Sequence, residues 1–138
     1  MDYNTNMDSR NLLIRLVTLI FLIFLLNYLA MKFYWYSSIW YFDMPMHFLG
    51  GLWLGLALIW FFKIKEISWK VILEIILGVL LIGVFWEAFE IIIDKTITGN
   101  LFNVLDTISD IFFDLAGGTF ALLYFLKRIM SIEKNIVQ

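Results

Sequence analysis

The segment LLIRLVTLIFLIFLLNYLAM, residues 12–31, carries the decision about the fold. Only Arg15, Thr18, Asn27 and Tyr28 interrupt it, and at 1.5 Å per residue it reaches roughly 30 Å, one hydrocarbon core of a bilayer. Arg10 and Arg15 ahead of an apolar run also suit a cleaved signal peptide. The run is too long for one and lacks an A-x-A-like cleavage site, so a retained helix is expected. Similar runs follow, and together they predict membrane helices over about 12–31, 44–62, 71–93 and 107–127. The expected fold is all-α: a polytopic membrane protein, a single four-transmembrane-helix bundle spanning residues 1–138, without internal repeats.

Composition agrees with that reading. Of 138 residues, 62% are hydrophobic and 16% charged, and mean hydropathy is +0.88, which excludes an ordinary soluble domain. The 14 Phe, 6 Trp and 6 Tyr exclude disorder, and a net charge of −2 without a basic tract argues against a nucleic-acid partner. With no cysteine there is neither a disulfide nor a thiol nucleophile. Arg10, Arg15, Lys63, Lys65, Lys70, Lys127, Arg128 and Lys134 fall on one side of such a bundle, Lys32 and Lys95 on the other. The positive-inside bias then places both termini in the cytoplasm of a cell-membrane protein. The aromatic segment Phe33-Tyr34-Trp35-Tyr36 with Trp40-Tyr41-Phe42 is expected as a short loop at the outer interface.

Glycines mark where helices approach. Gly51 and Gly55 form a G-x-x-x-G pair, Gly117 and Ala121 repeat the small-xxx-small spacing, and Gly50 and Gly118 are expected to broaden the same seams.

In a chain so short of charge, the acids carry the functional signal. The topology brings Asp43 and His47, then Glu87, Glu90 and Asp94, then Asp106, Asp110 and Asp114 to one membrane face. Their spacings are i, i+4; i, i+3, i+7; and i, i+4, i+8, so each set occupies one stripe of its helix. Helical rise places His47 and Asp110 roughly 6 Å below the boundary and Glu87 and Asp114 roughly 10–12 Å below it. These depths predict a carboxylate-rich cup around the chain's single histidine.

So many acids in a low-dielectric site need protons or a cation, and oxygen donors with one imidazole suit a divalent metal ion such as Mg, Mn, Ca, Fe or Zn. The expected ligands are His47, Glu87, Glu90, Asp110 and Asp114. Asp43 and Asp106 are placed behind them, and His47 and Glu87 are the candidates for catalytic work. Bland readings stand beside these: Asp43 and Asp106 also suit helix N-caps, Asp94 a solvated interfacial acid, and a lone histidine an ordinary hydrogen-bonded one. Glu74, four residues after Lys70 at the opposite end, reads as half of a local ion pair.

Asp43-x-x-x-His47, Trp86-Glu87-x-x-Glu90 and Asp106-Thr107-x-x-Asp110-x-x-x-Asp114-x-x-Gly117 resemble the VanZ-like superfamily of small membrane proteins, most closely its YjdF-like branch. The resemblance covers Asp43 to Gly118. VanZ proper more often has Gln at the position of Glu90 and Asn at that of Asp114, and YjdF-like proteins are commonly longer. The resemblance implies the helical fold and the acidic site and names no substrate.

Three functions fit these residues. One is a metal site acting on or binding a lipid-linked or envelope substrate, with membrane lipid as a partner. Another is a proton- or cation-coupled transporter or channel, for which so short a bundle would form a homo-oligomer. The third is a non-catalytic envelope-resistance or assembly factor. Single cysteines test the orientation that all three share: Ser38→Cys should react with an impermeant thiol reagent on whole cells and Ser131→Cys should not. The reverse pattern inverts the bundle.

Overall fold

The computed structural model describes residues 3–99 and 102–136, with the side chains of 3–8, 94, 98 and 130–136 outside that description. Its elements are α1 (Tyr3–Lys32), α2 (Trp35–Ser38), α3 (Asp43–Phe61), α4 (Trp69–Ile93) continuing into a π-helical turn (Asp94–Thr98), and α5 (Val104–Ile136). Among the described residues, α1, α3, α4 and α5 are the four helices long and apolar enough to cross a membrane.

Helix ends differ from the apolar runs because polar residues extend a helix beyond the hydrocarbon. Thus α5 continues through Lys127 and Arg128 to Ile136. The expected interfacial loop instead holds the short helix α2, entered at Tyr34 with a left-handed backbone (φ 56°). Its carbonyl accepts the hydroxyls of Ser37 and Ser38 at 3.1 and 2.7 Å. At the other end of α3, Lys63 is left-handed (φ 51°), and Ile64 N–H bonds the Ile59 carbonyl at 3.1 Å while Lys63 N–H bonds that of Trp60 at 3.2 Å. This paired closure satisfies the last carbonyls of the helix.

The capping expectation is corrected for both acids. Phe42 occupies the N-cap of α3 and Asp43 its first turn. Asn103 caps α5, its Oδ1 accepting Leu105 N–H at 3.2 Å, which leaves Asp106 in the first turn. Pro45 also sits in the first turn of α3, where its missing N–H costs no intrahelical bond.

The bundle is organised around α3, which packs against α1, α4 and, most extensively, α5. Buried Leu12, Leu16, Leu56, Ile59, Ile75, Ala121 and Leu122 form an apolar core at the end away from α2. Large apolar side chains such as Phe21, Phe85 and Phe112 point outward, which suits a lipid solvent. The α3/α5 seam rests on glycine: a Cβ on Gly51 would enter the space of the Asp114 carbonyl oxygen, and one on Gly117 that of the Phe48 carbonyl oxygen. Lower down, Gly55 faces Ala121 and Gly118. Gly50 departs from expectation, because its added Cβ would find nothing nearer than Asp114 Oδ1 at 3.9 Å.

Gly51→Ala should therefore destabilise the protein by about 1–3 kcal/mol through overpacking, while Gly50→Ala should be neutral or stabilise by up to about 1 kcal/mol through helix propensity. Thermal unfolding of both variants in one detergent checks this; equal effects would remove the seam argument.

Candidate functional site

The tight α3/α5 contact and the neighbouring α4 bring the intramembrane acids together at the α2 end. His47, Glu87, Asp110 and Asp114 are all buried, at 4–7% exposure, in a chain with no other buried charged side chain among the described residues. His47 is the hub. Its Nε2 stands 3.7 Å from Asp43 Oδ1, 3.8 Å from Glu87 Oε1 and 4.0 Å from Asp110 Oδ1. Its Nδ1 faces Asp114 Oδ1 at 3.5 Å. Thus three carboxylates converge on one ring nitrogen and a fourth meets the other.

Asp114 is seated by missing side chains. A Cβ at Gly83 would lie 2.7 Å from its Oδ2, so a side chain at residue 83 would have to displace the carboxylate. Sequence reasoning missed Gly83; its spacing seven residues before Glu90 placed it two turns along the same face. Glu87 Oε1 is the one buried side-chain polar atom among those described without a hydrogen-bond partner. Such atoms are rare, because an unsatisfied buried acceptor keeps its full desolvation penalty.

Potential donor atoms fall into two overlapping groups, Asp43–His47–Asp110 and His47–Glu87–Glu90, each with atoms within 4.8 Å of one another. Glu90 is half-buried. Asp106 is exposed in the first turn of α5 and joins neither group. The Asp94 side chain lies outside the described residues. At the far end, Lys70 Nζ meets Glu74 Oε1 at 3.8 Å in an exposed i, i+4 pair.

The cluster borders a cavity of about 900 Å³ between α1, α3 and α4. Its polar end is lined by Asn27, Tyr36, Asp43, His47, Glu90 and Asp114. Asn27 and Tyr36 are further residues that sequence reasoning gave no role; Tyr36 donates its hydroxyl to Asn27 Oδ1 at 2.9 Å, tying α2 to α1 across this end. Asn27 was visible as a polar break in the first span, whereas Tyr36 was hidden among interfacial aromatics.

These features define an integral membrane helix bundle with an acid–histidine site built into one end. The chain belongs to the family of predicted membrane proteins DUF2238, whose family model matches residues 6–130. Comparison with curated proteins and with solved structures finds no match.

Tyr36 reports on the acids beside it. Partial burial first, then the carboxylates of Asp43 and Glu90, push its phenol from near 10 up to about 12. The fold favours the neutral phenol, so this contribution to stability is whole below pH 10 and lost as pH rises through 12. A difference titration between wild type and Tyr36→Phe should show one phenol ionising near 12, and Asp43→Asn should move it down. A midpoint near 10 in the wild type would contradict this geometry.

Proposed function

We propose that this is a VanZ- and YjdF-like protein of the cell membrane, with both termini cytoplasmic, whose site faces the outer side and holds a divalent cation to bind or act on a lipid-linked or envelope substrate. The observation that carries the reading is the buried, unpartnered Glu87 Oε1, 3.8 Å from the Nε2 of the only histidine.

The spacing supports a shared ion. Distances of 3.7–4.0 Å from Nε2 to three carboxylates are too long for hydrogen bonds. Ligands about 2.1 Å from one ion stand about 3–3.5 Å apart, so each His47–carboxylate pair stands close to the separation that two ligands of one ion adopt. In this reading His47 holds the ion with Asp43 and Asp110 on one side or with Glu87 and Glu90 on the other. Asp114 on Nδ1 then fixes the tautomer and orientation of the ring, as carboxylates behind metal-bound histidines do. Relative to the sequence expectation, Asp43 and Asp114 exchange roles, and Asp106 drops out. Water activated by the ion would serve any hydrolytic step. The apolar core of Leu56, Ile59, Ile75 and Leu122 beneath the cluster supports a site entered from one end over a continuous path for protons or ions.

Elemental analysis of protein purified without chelator should find about one divalent ion per chain, with Glu87→Gln and Asp110→Asn abolishing it. Asp114→Asn should weaken affinity roughly 10–100-fold, and Glu74→Gln should leave it unchanged. Without ion, Glu87→Gln should raise thermal stability by relieving like-charge repulsion. Absence of stoichiometric metal, with no stabilisation by Mg, Mn, Ca, Fe or Zn, would overturn the reading.

A further inference from the structure

The cavity extends well beyond the acids. Along α1 it runs from Asn27 to Ile20, along α3 from His47 to Leu54 and along α4 from Glu90 to Ile82, in each case roughly 10–12 Å of helix. Over that depth the walls are apolar. The three helices thus enclose a slot polar at one end and hydrocarbon-like for the rest, within the range of about 300–1,000 Å³ usual for ligand sites.

The slot also has a side opening. Among the described residues α1 packs on α3, and α4 on α5 and α3, with no extensive contact between α1 and α4. Wall residues on these two helices are exposed, Phe24 at 65%, Phe89 at 55% and Ile82 at 41%. Within a membrane, that opening meets acyl chains.

The polar end selects the head group. Among the described residues no lysine or arginine lines the cavity, whereas Asp43, Glu90 and Asp114 do, with Glu87 and Asp110 in the same cluster. Ionised, this set of carboxylates would exceed the charge of one divalent ion and the imidazole together. A phosphate head group would meet that excess, but an ammonium would be attracted by it and by the aromatic side chains Tyr36 and Trp86, which also line the slot.

We infer that the slot between α1, α3 and α4 is the binding site for a membrane amphiphile with a hydrocarbon chain and an amine-bearing head group, the chain entering between α1 and α4. This rests on reading the acid–histidine cluster as the ligand site and names the class of its substrate.

Tetradecylamine, tetradecanol and tetradecyl phosphate, presented to the metal-loaded protein at equal mole fraction in detergent micelles, share one chain and differ in head group. The amine should bind about one per chain and at least roughly tenfold more tightly than either other probe. Leu54→Trp should weaken amine binding at least roughly tenfold while leaving metal uptake intact, because residue 54 lines the slot two turns along α3 from His47. Ile23→Trp fills the same slot from α1 and serves if Leu54→Trp does not fold. Phosphate binding as tight as the amine, equal binding of all three probes, or amine binding indifferent to both filling variants each overturns the inference. Selective amine binding that survives Glu87→Gln in a protein that takes up no metal would instead support the amphiphile and sink only the metal reading.

Discussion

The contact on which the rest of the site depends is the backbone approach of α3 and α5 at Gly51 and Gly117. Each glycine faces a carbonyl oxygen of the opposite helix, with no room for a side chain between them. In lipid there is no hydrophobic gain from bringing two apolar helices together, so such seams rely on close packing of small residues. Here the seam also sets chemistry. His47 lies one turn before Gly51, and Asp110 and Asp114 lie two turns and one turn before Gly117, so the approach that packs the helices also forces their ionisable side chains into one small volume.

That volume creates an electrostatic problem that packing alone does not relieve. His47 offers at most one positive charge to four carboxylates within 4.0 Å. Asp114 takes one nitrogen, leaving three acids on the other side and one oxygen of Glu87 with no partner. A bundle selected only for stability would replace these groups with apolar ones, because a poorly satisfied buried ionic cluster is weaker than a hydrocarbon core of the same shape. Their presence beside a cavity, away from the well-packed apolar core, is the physical ground of the proposed ligand-binding reading.

Much of this was legible in the chain. Long apolar runs between polar breaks specify membrane helices whatever their neighbours do, and the i, i+4 recurrence of Asp43/His47 and Asp106/Asp110/Asp114 fixes which residues share a stripe. What escaped depends on tertiary geometry. Whether Asp43 or Asp114 meets Nε2 follows from how far α3, α4 and α5 approach, which Gly83 and Gly51 set and which spacing along one helix does not encode. Asp106 lies on the same stripe as Asp110, yet its place in the first turn of α5 leaves it exposed. The role of α1 was invisible because that helix has no intramembrane acid. It enters through Asn27 and through Trp53 of α3, whose Nε1 donates to the Leu16 carbonyl at 3.0 Å.

That last bond clarifies why the cavity exists at all. Trp53 anchors α1 to α3 toward the apolar core, while Tyr36 bonded to Asn27 holds α1 to α2 near the site. Between these two tethers α1 is held at α3 without closing onto α4, so the space beside the acids stays open along its length. An empty apolar gap forfeits dispersion contacts on every wall, and a bilayer supplies chains that restore them. The same tethers that shape the cavity give the inferred amphiphile its two surroundings: apolar walls where α1 and α4 part, and carboxylates where His47 gathers them.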